Sequence, residues 1–233
     1  MPTRWVLFLM LPAVAFIIAC GGGNDATANL LANPGFENGT EPWHTMEGGG
    51  WNPDFTVSDS IFHDGNHSLH LQLTPPGQPS LNGIFGVVQN IPVSELPEYV
   101  SGFYRVDNWM KGTEFQYLQF VAVVFTDDPV AEFGNIQIRY LLSGAASGPF
   151  DIDNAKFIVI DPSEPVRGEW VHFARNVRED FQREWGVAPQ AITSIRIFFE
   201  ARFDSPIEIQ PQIGGDVYFD DLYMGPQANA PTE

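Results

Sequence analysis

The sequence predicts an all-β protein, built as a two-sheet antiparallel β-sandwich with one short helix. Glycine and proline, present 22 and 19 times, divide the chain into short segments, because both residues favour turns. Aromatic and β-branched residues fill the segments between them, as is typical of strands. Eight or more strands are enough for two packed sheets. The predicted strands are residues 67–73, 99–106, 115–125, 135–142, 156–160, 169–175, 194–203 and 216–224.

Residues 1–19 are predicted to be a lipoprotein signal peptide that lies outside the fold. Arg4 precedes an apolar run that is shorter than the roughly 20 residues a membrane-spanning helix needs. Cys20, the only cysteine of the chain, follows this run, and the stretch "IIAC" resembles the lipobox of bacterial lipoproteins. That resemblance implies lipidation of Cys20. The alternative is an ordinary signal peptide that is cleaved nearby and leaves a free thiol.

Behind the leader, the chain is predicted to hold a single domain. The glycine-rich residues 20–28 have the composition of a flexible tether, residues 29–225 are long enough for one sandwich domain, and residues 226–233 have the composition of a disordered tail. The domain is expected to be a monomer in the cell envelope, facing the periplasm or the exterior. It would contact a membrane only through the lipid anchor.

The charge of the chain excludes two classes of partner. With 29 acidic against 11 basic residues, the formal net charge is −18. Nucleic acids and anionic lipid surfaces bind proteins through basic surface. A nucleic acid is therefore not expected as a partner.

The predicted helix lies near residues 176–186. Val177, Phe181 and Trp185 recur at four-residue spacing, which places them on one helical face. Gly186 follows at the position where glycine commonly ends a helix.

Three motifs in the predicted domain carry a resemblance. They are "LLANPGFENGTEPW" near the start, "HDGNHSLHLQL" about 30 residues later and "GGDVYFDDLYMG" at the end. Together they resemble the jelly-roll carbohydrate-binding modules of the galactose-binding-like superfamily. The resemblance implies a jelly-roll sandwich that binds a polysaccharide or oligosaccharide, and it says more about the fold than about the ligand.

The same resemblance implies a structural calcium. Similar modules hold it with the glutamate of the first motif, the aspartate of the last motif and the intervening turn, which here are Glu37 and Asp220, with Asp221, Asp64 and the carbonyls around Gly65. Strict alternation in the last strand would place Asp220 on the face of Leu222, where a bare carboxylate is unfavourable. The alternative is that Glu37 and Asp220 cap turns by accepting backbone N–H bonds.

Sugars bind to aromatic faces bordered by planar hydrogen-bonding groups. Alternation along the predicted strands places such groups opposite the core residues, and a concave sheet presenting them would form a glycan cleft, with Trp51 or Trp109 at its rim. The arginines favour an anionic polysaccharide, because guanidinium pairs with carboxylate or sulfate. The alternative is an ordinary solvent-facing surface. The predicted ligand-binding residues are Arg105, Trp109, Tyr117, Gln119, Gln137, Arg139 and Arg202.

Two other function classes remain open at this point. A glycoside hydrolase or polysaccharide lyase of jelly-roll fold would need a pair of carboxylates, for which Glu200, Asp107 and Glu114 are conceivable members, although no motif marks them. A surface adhesion or structural module would instead offer a flat apolar patch to another protein. The sequence favours a lipid-anchored protein that captures a polysaccharide without cleaving it, and no catalytic residue is predicted.

Overall fold

The computed structural model describes residues 29–75, 82–204 and 213–227. The predictions for the signal peptide, Cys20 and the tether therefore lie outside the described residues, as does most of the predicted tail. Within the described ranges no helix is long and apolar enough to span a membrane.

The described chain forms ten strands and one helix. In chain order these are β1 (Thr56–Ser58), β2 (Ser68–Leu73), β3 (Gly83–Ile91), β4 (Tyr99–Met110), β5 (Gln116–Thr126), β6 (Asn135–Ser143), β7 (Ala155–Val159), β8 (Trp170–Asn176), α1 (Val177–Trp185), β9 (Ile192–Phe203) and β10 (Gly214–Gly225).

The strands are divided between two five-stranded sheets. The first sheet has the order β1-β2-β10-β4-β8 and the second sheet the order β3-β9-β5-β6-β7. Neighbouring strands are antiparallel except β6 and β7, which are parallel. The predicted all-β sandwich is confirmed, and the parallel pair at one edge is a departure from the expectation of antiparallel sheets throughout.

The core between the sheets is rich in aromatic residues. Phe120 of the second sheet stacks on Tyr140 with ring centroids 4.3 Å apart and on Phe173 of the first sheet at 5.3 Å. Phe199 meets Phe219 of the first sheet at 5.5 Å. Each such buried ring removes a large apolar area from water, so the inner faces join the two sheets.

The helix α1 is confirmed where the sequence predicts it. The Asn176 side chain accepts a hydrogen bond from the backbone N–H of Glu179 at 3.0 Å and caps the N-terminus. Val177 and Phe181 are buried against the sandwich. Gly186 ends the helix with φ of 74°, a conformation that favours glycine.

Candidate functional site

The outer face of the second sheet carries a depression of about 340 Å³, hereafter the cleft. Its lining combines aromatic rings, aliphatic side chains and hydrogen-bonding groups, three of them guanidinium groups. The lining residues are Met46, Trp51, Ile84, Val121, Val123, Phe125, Asn135, Gln137, Arg139, Arg196, Phe198, Glu200 and Arg202.

Strand register arranges part of this face as one row of side chains. Val88, Phe198, Val121, Arg139 and Phe157 lie opposite one another in successive strands from β3 to β7. Directly opposite residues point to the same side of a sheet. With four strand spacings the row is about 19 Å long, so it crosses the whole sheet perpendicular to the strands.

A second row lies on the same face, two residues further along each strand. It contains Asn90, Arg196, Val123 and Gln137, again in register from β3 to β6. Arg139 and Arg196 therefore lie on opposite sides of β5 and are offset by two residues along it. Strand spacing and rise place their Cα atoms about 12 Å apart.

The rim of the cleft beside β3 is formed by the loop that carries Trp51. The backbone of this loop hydrogen-bonds β3, with Asn52 N donating to Ile84 O at 2.7 Å and Ile84 N donating to Gly50 O at 2.9 Å. The Trp51 ring lies 5.8 Å from the Phe198 ring, centroid to centroid. The prediction that Trp51 stands at the rim agrees with this placement.

Glycines shape the loop immediately before Trp51. Gly48, Gly49 and Gly50 have φ values of 73°, 61° and 87°, in the region that residues with a Cβ rarely adopt. At Gly50 a Cβ would also lie 1.9 Å from Oδ1 of Asn82. The glycine run thus allows the tight path that brings Trp51 to the cleft.

Arg139 and Arg196 direct one donor each to a neutral amide group. Arg139 Nε donates to Gln137 Oε1 at 3.1 Å, and Arg196 Nε donates to Asn90 Oδ1 at 2.6 Å. Their guanidinium carbons lie 5.9 Å from the Phe157 ring centroid and 5.3 Å from that of Phe125. Within the described ranges neither forms a salt bridge.

Burial lowers the pKa of Arg139, and the nearby Glu200 carboxylate opposes this effect. The desolvation is unfavourable for a cation that has no direct counter-ion. The fork of Nη atoms on each of these two arginines is therefore the part of the cleft best placed to bind a ligand.

Arg202 differs from these two because it is enclosed in a charged network. Its Nε donates to Asp204 Oδ2 at 2.7 Å and its Nη1 to Glu200 Oε2 at 3.2 Å, and its exposed fraction is 4%. Gln119 also donates to Glu200, and Tyr117 donates to Asp204 Oδ2 at 2.6 Å. Burial raises the pKa of Tyr117, so this phenol stays a neutral donor. The network is a rigid support at one end of the cleft.

Five of the seven predicted ligand-binding residues share this outer face. Gln137, Arg139 and Arg202 line the cleft, whereas Tyr117 and Gln119 are fully buried beside it. The alternation along β5, β6 and β9 predicted their direction correctly, because each strand has a single core-facing side. Whether any of the five contacts a ligand stays a prediction.

The placement of Arg105 and Trp109 in this cleft is wrong. Both belong to β4, which is in the first sheet. Trp109 is 1% exposed and packs in the core, where Gly215 leaves room for its ring. Arg105 faces outward from the first sheet and pairs with Asp107 at 3.2 Å. Alternation identifies which way a side chain points but not which sheet its strand joins.

Sequence reasoning missed the apolar part of the cleft. Phe198 points outward with Arg196 and Glu200, as the same alternation requires, yet an apolar residue on a polar face was not singled out. Val121 and Val123 likewise point outward from β5. The available signal was an apolar residue at an outward position, which marks a surface that contacts something other than water.

The five predicted calcium-site residues come together on the other side of the sandwich. Asp220 Oδ2 accepts from the backbone N–H groups of His63 at 2.7 Å and Asp64 at 3.3 Å. Glu37 Oε1 accepts from the N–H groups of Asn66 at 2.8 Å and His67 at 3.0 Å. These are the backbone N–H bonds that the turn-cap alternative predicts.

Two further residues of the predicted calcium site, Gly65 and Asp221, lie beside these carboxylates. Gly65 has φ of 68°, and a Cβ on it would lie 2.2 Å from Glu37 Oε1. Asp221 Oδ2 lies 2.5 Å from Nδ1 of His63. The backbone N–H of Asn66 is the main reason that the pKa of Glu37 is lowered.

The expected position of Asp220 next to Leu222 is wrong. A register shift between Asp220 and Tyr223 interrupts β10, and Asp221 has φ of 47°. Leu222 consequently points into the core, whereas Asp220 points outward beneath the turn at residues 63–64. The turn covers Asp220 completely, and this burial raises the pKa of its carboxyl to about 7.

The residues fit a pair of turn caps better than a calcium shell. Calcium takes six to eight oxygen ligands, but Glu37 Oε1 and Asp220 Oδ2 each already accept two N–H bonds. In the described part of the chain no group of three or more histidine, cysteine or acidic side chains is arranged to hold a metal ion. The calcium stays a prediction.

The carboxylates considered for an enzyme do not form a pair in the described structure. Asp107 lies in the first sheet, and Glu114 precedes β5. Glu200 is the one carboxylate among the described residues that line the cleft. Its Oε2 atom accepts hydrogen bonds from Arg202 and Gln119. A glycosidase needs two carboxyl groups about 5 to 10 Å apart across the scissile bond.

The sequence matches no protein-family model and no curated protein. Among solved structures the chain is similar to TmCBM61 in complex with beta-1,4-galactotriose, with 13% identity, a TM-score of 0.46 and coverage of 86% of this chain and 100% of that one. It is similar to the CBM22-2 xylan-binding domain of Paenibacillus barcinonensis Xyn10C, with 14% identity, a TM-score of 0.43 and coverage of 83% and 98%.

A third similar structure is the xyloglucanase domain of NopAA, a type three effector from Sinorhizobium fredii, in complex with cellobiose. Its identity is 10%, its TM-score 0.40 and the coverage 80% of this chain and 98% of that one. The first two of these structures are carbohydrate-binding modules and the third is an enzyme domain.

Proposed function

We propose that the cleft on the second sheet binds a segment of a polysaccharide and does not cleave it. The observation that carries this proposal is the lining itself, in which the Trp51 and Phe198 rings and two valine side chains lie beside amide and guanidinium groups on the same face of the sheet. Apolar faces that can stack on sugar rings, beside planar groups that can bond hydroxyls, are the combination that carbohydrate recognition needs.

The shape of this surface supports a glycan over a protein partner. A protein-contact module would offer a flat apolar patch, whereas the described face is a depression with Arg139, Arg196, Gln137 and Asn135 in its lining. The part of the row that lines the cleft runs from Phe198 on β9 across β5 to Arg139 on β6, so a segment of a chain molecule can lie along it. The jelly-roll resemblance of the motifs points to the same class of ligand.

The environment of Glu200 supports binding without cleavage. Glu200, the single carboxylate in the described lining, is bonded to two side chains and 3% exposed. A carboxyl group held in this way is poorly placed to transfer a proton to a glycosidic oxygen. We therefore infer capture of a polysaccharide, with any cleavage left to another protein.

The cell envelope is the proposed location, through lipidation of Cys20 behind the leader of residues 1–19. A diacylated or triacylated cysteine would hold the domain stably at a membrane. On partitioning with Triton X-114 we expect the expressed protein in the detergent phase. Recovery in the aqueous phase would contradict the anchor but not the function of the cleft.

The proposal is tested by a binding screen of the purified chain against immobilised neutral and acidic polysaccharides. Each polysaccharide that binds is then incubated with the protein and assayed for new reducing ends. We expect binding to at least one polysaccharide with no new ends. New reducing ends would assign an enzyme, and a chain that binds none of the polysaccharides would overturn the proposal.

A further inference from the structure

The cleft differs in charge from the rest of the molecule. Acidic residues outnumber basic ones by 29 to 11 over the whole chain. The described lining of the cleft instead holds three arginines and one glutamate, and even with Asp204, which pairs with Arg202, the arginines outnumber the carboxylates there. A local excess of positive charge on a strongly negative protein requires an explanation, because such a protein repels anions at long range.

Arginines elsewhere in the described residues have evident partners or contact water. Arg105, Arg175 and Arg183 form salt bridges with aspartates. Arg178 donates to a backbone carbonyl, and Arg167 is exposed. Arg139 and Arg196 stand apart from these, because each is half-buried and its hydrogen bond goes to a neutral amide oxygen.

This arrangement is costly while the cleft holds only water. Arg139 lies between the Gln137 amide and the Phe157 ring, where burial lowers its pKa. A partly desolvated cation that forms no salt bridge with the described residues is unfavourable, and an anion bound to it offsets the cost. A neutral sugar hydroxyl would satisfy the hydrogen bonds of the guanidinium but not its charge.

The positions of the two arginines match a ligand with repeated charge. Because they lie on opposite sides of β5 and about 12 Å apart at Cα, each presents its own fork of N–H groups. Between them the floor contains Val121, Val123 and Phe198, of which Val123 and Phe198 are 7% and 8% exposed and can contact the apolar face of a sugar ring. An acidic chain that crosses the strands would meet both forks.

We propose that the cleft selects an acidic polysaccharide, whose ring-borne oxyanions, either carboxylates or sulfates, pair with the Arg139 and Arg196 forks. This inference rests on the proposed function, since it names the class of glycan for the same cleft. Guanidinium forms paired hydrogen bonds with either group. Trp51 and Phe198 would contact the sugar rings whatever their charge.

The experiment measures the affinity of the purified chain for two matched pairs of polymers. One pair is polygalacturonate and the same polymer after reduction of its carboxyl groups, and the other is dextran sulfate and dextran. We expect at least one acidic polymer to bind about tenfold or more tightly than its neutral counterpart, as the strength of charge-assisted hydrogen bonds indicates. Preference within the first pair alone assigns carboxylate, and within the second pair alone assigns sulfate.

Arg139→Gln and the control Arg105→Gln make the test specific to the cleft. Both variants lose one positive charge, but Arg105 lies on the opposite sheet. Arg139→Gln should abolish most of the preference for the acidic polymer, and Arg105→Gln should retain it. An equal loss in both variants would show general charge attraction and overturn the inference.

Failure of the inference and failure of the proposed function give different results. If acidic and neutral polymers bind equally and Arg139→Gln does not change this, the charge selection is wrong, whereas the cleft still binds glycan. If no polysaccharide of any charge binds, in this experiment or in the wider screen, the proposed function is overturned and the inference with it.

Discussion

Asp220 is the residue on which the turn before β2 depends. Its carboxylate accepts backbone N–H bonds from His63, Asp64 and Asp221, and its side chain is completely buried. We expect Asp220→Ala to lower the free energy of unfolding by about 2 kcal/mol or more, because it leaves buried donors without an acceptor. Urea unfolding measures this loss.

The same variant decides between a turn cap and a calcium ligand. A cap predicts an equal loss of stability in calcium and in chelator, whereas a calcium ligand predicts a loss only when calcium is present. Asp59→Ala is the control, since that side chain is exposed and belongs to neither carboxylate motif, and we expect a change within about 0.5 kcal/mol. If chelator does not alter the melting temperature of the wild-type chain, the calcium prediction is wrong.

At the scale of elements, the loop at residues 44–52 joins the cleft to β3. Beyond the Gly50 and Asn52 bonds, His44 exchanges two backbone hydrogen bonds with Val88, at 3.2 and 2.8 Å. Met46 and Trp51 of the loop also pack against the cluster that contains the outward Val88 and so cover this side of β3. This cover explains why β3 was not among the predicted strands: both of its faces are buried, and its sequence "GIFGVVQNI" lacks the expected alternation.

A substitution in this loop should affect both stability and binding. In Gly50→Ala the new Cβ meets Asn82 and the residue must keep a φ of 87°, which costs roughly 1 to 3 kcal/mol. We expect a lower melting temperature together with weaker polysaccharide binding, because Trp51 follows directly. Calorimetry and affinity measurements on the same sample check both effects.

Gly39→Ala is the matched control for that prediction. Gly39 has a similar φ of 83°, but a Cβ there meets nothing within 4 Å, and the residue lies outside the lining of the cleft. Gly39→Ala should lower the melting temperature and leave the affinity for polysaccharide unchanged. Equal weakening of binding in both variants would mean that Gly50 acts only through overall stability.

For the whole molecule, the predictions that the structure confirms came from patterns within single segments of the sequence. The sandwich, α1 and the outward direction of Gln137 and Arg139 follow from periodicity within single segments. The grouping of the Glu37 and Asp220 motifs followed from the family resemblance. Each of these predictions needs only the residues of one short segment or motif.

What the sequence could not supply was the assignment of strands to sheets. Arg105 on β4 and Arg139 on β6 have similar strand contexts, yet they face opposite sides of the sandwich. The register that aligns Phe198 with Val121 and Arg139 depends on pairing between segments distant in the chain. Such pairing is set by the packed core as a whole, and no local signal contains it.

The most direct test of the central claim compares two tryptophans, one on each outer side of the sandwich. Trp51 lies at the rim of the cleft, and Trp170 faces outward from the first sheet near the His63 ring. Both are partly exposed, so both variants to alanine are expected to fold. The measurement is the affinity of Trp51→Ala and Trp170→Ala for the polysaccharide that binds the wild-type chain.

Trp51→Ala should bind about threefold to tenfold more weakly, as the loss of an aromatic contact indicates, and Trp170→Ala should bind like the wild type. That result would place the polysaccharide on the second sheet. Weaker binding by Trp170→Ala with unchanged binding by Trp51→Ala would place the ligand on the first sheet and contradict the cleft as the binding site.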